Sequence, residues 1–479
     1  YGSIDNITGY FGGNSTYTSY YGGYTSGGAI CNYGTIKDIT GYFINNHIDD
    51  GASGGAIGNG GFIDNITGDF VGNYAYDNNS GYYSDAFGGA ISNSGVIKNI
   101  TGNFINNHVS ADSSEYYYNE NKPKIPYTEA MGGAIYNNGG IQNLTGNFIG
   151  NYATINGLDE NSKAYGGAIA SVVGDIKDTI EIYYQKGTIT NTNTGESISV
   201  YVAFNEDTNP DNFTLQEFIN RANSLGPKIE FVQGEDFVQS IEDENEWNNL
   251  LETMNELKDK GYVSEKDITQ TVTINNDLTG LTIKNSNFFN NFATSDSSEA
   301  KGGAIYTNKS LNIIADNGES IFSGNYVQSP DKKDQQAVYV ENSFTVKKVG
   351  FNEDGTKYLF QLKPSKATLT LKSINNGKII FNDKITGGTT TIVTNPYYIK
   401  DKQIHYTDEN YNDTDTPTEV TLTPALKITG DSSSVVQLNN DVENLDISLS
   451  STNLHLGARD NVLDGNNIDL QSGTLSMVN

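Results

Sequence analysis

The chain has 479 residues, a formal net charge of −29, and 58 acidic side chains against 29 basic ones. Without a cationic patch to exchange for counterions, such a surface is excluded as a charge-driven binder of nucleic acid or anionic lipid headgroups. A single cysteine, Cys31, excludes an internal disulfide, and no apolar run is long enough for a membrane helix. Gly, Asn, Thr, Ser and Tyr are abundant, which favours turns and strands over helices. No signal peptide is visible. The sequence opens in mid-repeat at Tyr1-Gly2-Ser3-Ile4 and reads as a fragment of something longer.

From the N-terminus, one unit recurs: Gly-Gly-Ala-Ile-x-Asn-x-Gly-x-Ile-x-(Asp/Asn)-(Ile/Leu)-Thr-Gly-x-Phe-x-(Asn/Gly)-Asn. It is complete from Gly27, Gly54, Gly88 and Gly132, and partial at Gly2, Gly166 and Gly302. Gly27 to Phe43, Gly54 to Phe70, Gly88 to Phe104 and Gly132 to Phe148 share one separation, whereas the connection back to the next Gly-Gly varies. A constant unit with one variable connection predicts stacked repeats whose insertions leave from one corner. Gly34, Thr40 and Gly41 argue against a helix, so three short strands per unit are expected.

Each position then acquires a role. Gly13, Asn45, Gly72, Asn106 and Gly150 suit a turn at positive φ. Asn14, Asn46, Asn73, Asn107 and Asn151 are expected to stack as an amide ladder, with Asn32, Asn59, Asn93 and Asn137 as a second one. The Phe and Ile columns form the core stripe. His47, Tyr74, His108 and Tyr152 occupy one position. The two histidines lie two units apart, roughly 10 Å at the strand spacing, too far to share a metal ion, so a stack of flat rings is expected. The Asn-x-Thr sequences at Asn6, Asn65, Asn99 and Asn143 belong to the repeat and are not read as glycosylation sites.

These interleaved Gly-Gly-Ala-Ile and Phe-x-x-Asn motifs resemble the repeats of the chlamydial-type polymorphic membrane proteins, autotransporters of Gram-negative cell envelopes. By motif the resemblance covers residues 1–179 and about 280–330; residues 330–479 match in style only. It implies an all-β, right-handed parallel β-helix (a solenoid), displayed outside the cell and adhesive. The family's C-terminal translocating barrel is absent from this chain, so membrane attachment is expected only through a barrel elsewhere. Leucine-rich repeats echo the pattern at the wrong spacing.

Three segments are expected: the repeat array 1–179, an inserted α+β module 180–270, and a β-helix continuation 271–479. In the module, Ile180–Gln185 and Ser197–Phe204 read as a hairpin. Thr214-Leu-Gln-Glu217 reads as a capping box opening a short helix to Leu225. Ser240–Lys260 reads as a second helix with Trp247, Leu250, Leu251, Met254 and Leu257 on its core face. Its acidic start, Glu242–Glu246, reads as a solvated helix N-terminus. Strands resume at Gln270–Ile274, Leu281–Ile283 and Phe288-Phe-Asn-Asn291, and continue through Ala337–Val340, Phe344–Lys348, Tyr358–Leu362, Ala367–Leu371, Ile379–Phe381 and Thr390–Val393. Short strands then run through Val435, Leu445, Leu454, Val462, Ile468 and Leu475. Asp408–Glu419 has calcium-loop oxygen spacing at Asp408, Asn410, Asn412 and Glu419. Asp413 stands where the sharp turn needs Gly, and the loop reads as acidic and flexible, with no metal assigned.

Repeat columns of Asn, Gly, Ile and Phe contain no catalytic constellation, so no catalytic residue and no cofactor are assigned. Candidate ligand-binding residues lie in the variable connections: Tyr20, Tyr21, Tyr82, Tyr83, Tyr116, Tyr117 and Tyr118. Rigid amphipathic rings among small polar residues make adaptable contact surfaces and stack on sugar faces. The reading is a surface adhesin passenger, on the outer membrane of a Gram-negative bacterium or secreted, that binds a host-cell protein or glycan. The alternatives are a β-helical polysaccharide-degrading enzyme and a structural, self-associating spacer.

Overall fold

A computed structural model describes residues 2–17, 25–50, 52–77, 85–113, 128–157, 162–172, 179–204, 228–233, 237–245, 247–248, 280–351, 358–400, 403–408, 412–457, 463–464 and 468–477. The chain forms two compact units: Tyr1–Asp175 with Gly280–Asn479, and Ile176–Thr279.

The first unit is all-β, dominated by long parallel sheets of 20, 17 and six strands. The repeat from Gly54 shows how they arise. Ile57–Asn59, Phe62–Thr67 and Phe70–Val71 are the three strands the motif predicts. Two more, Tyr74–Asp77 and Asp85–Phe87, flank the variable connection. Each lies parallel to its counterpart in the next repeat, with Ile57 opposite Ile91, Ile63 opposite Ile97, Phe70 opposite Phe104, Tyr74 opposite His108 and Ala86 opposite Ala130. The parallel pairing resumes after the second unit: Phe148 pairs with Phe288, and Ile169 with Ile305, with one register shift between Ile141 and Leu144 where they meet Leu281 and Ile283. The repeat that opens at Gly166 is thus completed by Leu281–Asn291.

The turn residues Gly13, Asn45, Gly72, Asn106 and Gly150 have φ between 54° and 66°, as do Asn290 at 56° and Gly324 at 76° farther on. Only side chains that tolerate this region stand there. The Phe column is fully stacked inside. Rings from Phe11 to Phe322 lie 4.7–4.8 Å apart and within 6° of parallel.

Both asparagine ladders form. Nδ2 of Asn73 donates to Oδ1 of Asn107 (2.9 Å) and to the carbonyl of Phe43 (2.8 Å), while its backbone N–H donates to the same Oδ1 (3.0 Å). The pattern runs from Asn14 to Asn325 and ends on buried Asp383, which accepts from Gly324 N, Asn325 N and Asn325 Nδ2. A carboxylate only accepts, so it fits the end of a chain of donors. Two outer ladders obey the same rule in the opposite direction: Asn143, Asn99 and Asn65 end on Asp38, and Asn287, Asn147 and Asn103 end on Asp69. The sequon amides of Asn65, Asn99 and Asn143 are therefore engaged within the sheet.

Tyr326–Ser329 pairs antiparallel with the start of Lys332–Glu341, and beyond Glu341 the expected parallel strands give way to further antiparallel excursions. Ser343–Phe351 pairs with Tyr358–Ser365, Tyr397–Lys400 with Gln403–Tyr406, and Thr390–Val393 with Glu419–Leu422. Between them Thr368–Ile374 and Lys378–Phe381 return to the parallel register. Alternation of apolar residues marks a strand but not its direction, so these excursions were not legible. The later parallel strands, including those through Val435, Leu454, Ile468 and Leu475, pair as the first array does. Gln270–Ile274 and Val462 lie outside the described residues.

In the second unit, Thr179–Asn191 and Ser197–Phe204 form the expected hairpin, and Lys228–Gln233 and Phe237–Ile241 add to it in parallel. The later helix starts after the expected Ser240, because Ser240 pairs with Thr190 in that sheet. Asp243 caps it instead, its Oδ1 accepting the N–H of Asn245 at 2.8 Å. Trp247 is buried, as expected of the core face. The helix at 214–225 and the rest of that face, Leu250, Leu251, Met254 and Leu257, lie outside the described residues.

Candidate functional site: the groove beside the glycine turns

The first glycine of each Gly-Gly-Ala-Ile has φ between 62° and 77°. A Cβ on Gly132 would sit 2.1 Å from the carbonyl oxygen of Ile135, and one on Gly133 equally close to that of Gly167. The turn is therefore tight, and it brings together the residues on its two outer flanks. Before the turn stand Ser26, Ser53, Phe87, Met131, Tyr165 and Lys301; after it stand Cys31, Gly58, Ser92, Tyr136, Ala170 and Tyr306. Phe87 stacks on Tyr136 with ring centres 4.5 Å apart, and Tyr165 meets Tyr306 at the same distance. Small residues occupy the flanks in the earliest repeats and large ones in the later repeats. The result is a separate apolar cluster, made of Met131, Tyr165, Ala170, Val172 and Tyr306 with Phe87, Tyr136 and Tyr339 against it.

A concave pocket of about 340 Å³ opens over this cluster. Its rim carries paired charges. Lys163 Nζ meets Glu129 Oε1 at 2.6 Å. Lys301 lies 3.5 Å from carboxylates of both Glu299 and Glu341, and 4.8 Å from the ring centre of Tyr339. Tyr306 Oη donates to Glu341 Oε2 at 2.8 Å. Burial opposes the charge on Lys301, but Tyr165, Tyr339, Glu341 and Glu299 together offset it and hold its pKa above the usual lysine value. At neutral pH the two glutamates carry that effect, because the phenols are uncharged. Burial pushes the Tyr165 hydroxyl up to about 12, and raises Tyr306 and Tyr339 as well. Beside the pocket, burial and the neighbouring Glu129 push Asp85 up to about 7, although its Oδ1 accepts the N–H of Glu129 at 3.2 Å.

The variable connections attach where expected. They run between two strand columns, one ending at Tyr17, Asp49, Asp77, Ser113, Gly157 and Ser295, the other beginning at Thr25, Ala52, Asp85, Glu129, Lys163 and Ala300. The second column is the strand that leads into the groove. Tyr20, Tyr21, Tyr82, Tyr83, Tyr116, Tyr117 and Tyr118 all lie outside the described residues. Among described tyrosines, Tyr10, Tyr17, Tyr33 and Tyr42 are exposed.

The His47 column is a ring stack: His47, Tyr74, His108, Tyr152, Phe292 and Tyr326 follow one another with ring centres 4.6–5.1 Å apart. Burial lowers the pKa of His108, with the Asn106 carbonyl acting the other way. In the acidic loop, Asp413 accepts from Tyr398 Oη through both oxygens at 3.0 Å, and Glu419 begins a strand. Asn410 lies outside the described residues. Among the described residues no cluster of three or more His, Cys, Asp or Glu side chains could hold a metal ion.

No protein-family model matches the sequence, and no curated protein or solved structure is similar enough to match it. Sequence reasoning placed recognition in the connections and did not single out the groove. The signal was present in the two positions flanking an invariant tetrapeptide, where side chains change from Ser and Gly to Phe, Tyr and Lys along the array.

Proposed function

We propose that the chain is the exposed, adhesive part of a surface-displayed protein of the autotransporter-passenger type, on the surface of a Gram-negative cell or secreted. Its first unit is read as a right-handed parallel β-helix, a solenoid serving as a scaffold. The observation that carries this reading is the common attachment of all variable connections between two strand columns, beside a groove whose lining changes from repeat to repeat. Variable segments on a constant frame are where recognition resides. The partner is a host-cell protein or a glycan, and the Tyr-rich connections are its first contacts. Replacing Tyr116, Tyr117 and Tyr118 by Ser is expected to leave the circular dichroism spectrum intact and to reduce adhesion to host cells. Unchanged adhesion with an unchanged spectrum would move the site away from this connection.

A second reading, polysaccharide cleavage, draws on Asp85. A carboxyl raised to about 7 beside a second carboxylate is shifted as a general acid is. The phenols and Lys301 of the groove are raised as well, so each is held in its protonated form, where none acts as a base or a nucleophile. Binding is therefore the better-supported use of the groove. Polysaccharide cleavage abolished by Asp85→Asn would favour the enzyme.

A further inference from the structure

We propose that the groove beside the glycine turns is a binding site for uncharged saccharides, one or two pyranose rings at a time. This deepens, and rests on, the reading of the chain as a recognition protein. Three features of the groove select the ligand. Beneath it Met131, Val172, Tyr165 and Tyr306 are close-packed and largely buried, so the accessible lining is more polar than apolar, with a small apolar part for the C–H face of a sugar ring and a larger polar part for its hydroxyls. Its rim is built of ammonium–carboxylate pairs, Lys163 with Glu129 and Lys301 with Glu341. Each pair offers a donor and an acceptor within a few ångströms, and a hydroxyl, which both donates and accepts, bridges such a pair. The rim has no spare positive charge, because Lys301 faces Glu299 as well as Glu341. An anionic sugar would face Glu129 and Glu341 and the acidic surface beyond them, and a cationic one would have to displace Lys163 or Lys301 from its partner. A purely apolar ligand would strip water from the rim charges without replacing it. The volume, about 340 Å³, lies at the lower end of the range of about 300–1,000 Å³ typical of small-ligand sites.

The test is a calorimetric and saturation-transfer NMR titration of the full chain with neutral, anionic and cationic trisaccharides: cellotriose, N,N′,N″-triacetylchitotriose, trigalacturonate and the trimer of glucosamine. At least one neutral trimer is expected to bind at least tenfold more tightly than either charged one. Met131→Trp, which fills the floor, is expected to weaken that binding at least tenfold. Lys163→Ala, at a half-exposed rim position that does not threaten folding, is expected to weaken it as well. Circular dichroism melting identifies a Met131→Trp protein that fails to fold, and the Lys163→Ala result then decides. The inference is overturned if no neutral trimer binds, if a charged trimer binds more tightly, or if the folded variants bind as the unmodified chain does. Failure of all neutral trimers together with lost adhesion in the Tyr116–Tyr118 variant removes the groove site and leaves the adhesin reading. Saccharide binding by a chain that adheres to no cell does the reverse.

Discussion

The two sides of each Gly-Gly-Ala-Ile turn differ. Inside it, Ala56, Ala90, Ala134, Ala168 and Ala304 are fully buried and identical, followed by Ile57, Ile91, Ile135, Ile169 and Ile305. Outside it, the flanking positions hold Ser53, Phe87, Met131, Tyr165 and Lys301 in the same five repeats. The inner residues meet their own kind one strand spacing away, so a change in one repeat is felt by both neighbours, and uniformity follows from stacking. The outer residues meet solvent and one another, and stacking leaves them free to vary. The same division separates the asparagine ladder from the ring column beside it. Every ladder position from Asn14 to Asn325 is Asn because each amide both accepts from one neighbour and donates to the next. The ring column tolerates His, Tyr or Phe because flat rings need only overlap.

This contrast can be broken most severely at the ladder. Replacing Asn107 by Leu strands the N–H of Asn73 and one of its two Nδ2 hydrogens, the other staying on the Phe43 carbonyl, and removes the side-chain donor to the carbonyl of Phe70, each lost buried bond costing about 1–3 kcal/mol. A loss of about 3–5 kcal/mol is expected, read as a drop in the urea midpoint. Gly132→Ala tests the turn itself. A Cβ there meets the Ile135 carbonyl at 2.1 Å in a left-handed backbone, and about 2–3 kcal/mol should be lost. A milder result would mean that the turn can open.

Asp85 gives the next smaller effect and has a sign. Its carboxyl is raised from 3.8 to about 7 in the folded chain, so the folded state holds the proton more tightly than the unfolded one. That contribution is complete below about pH 4 and is lost as pH rises through about 7. Asp85→Asn is therefore expected to flatten the fall in stability with pH between those values. An unchanged pH profile would remove Asp85 from the account. The smallest effect is expected at His108→Tyr, which gives this repeat the residue its neighbours carry at Tyr74 and Tyr152. A change within about 0.5 kcal/mol would set the ring column apart from the ladder; a loss equal to that of Asn107→Leu would erase the distinction.

How much of this was legible follows from the same division. Inner positions repeat, so comparing Asn46 with Asn73 and Asn107 within one chain assigned the ladder, the left-handed turns at Asn45 and Asn106, and the Phe column. The terminating role of Asp383 was hidden because it stands one residue nearer its Phe than the asparagines do, in a repeat without the motif. The antiparallel excursions after Glu341 were hidden because strand direction leaves no trace in alternation. The groove was hidden because its residues vary, and variation at fixed positions looks like noise until the turn is seen to bring them together.

The central claim, a constant stacked frame whose steps do not depend on the length of the connections, is tested most directly by pulsed EPR distances. Nitroxides are placed at Thr67 with Lys372, and at Thr40 with Lys284, in a Cys31→Ser background. The register puts five strand steps between the first pair and four between the second. At about 4.8 Å per step the expected separations are about 24 Å and 19 Å, although in sequence the whole second unit intervenes in both pairs. Distances that differ by one step support the frame. Separations longer than these by a step or more, or broad distributions at both pairs, would contradict it.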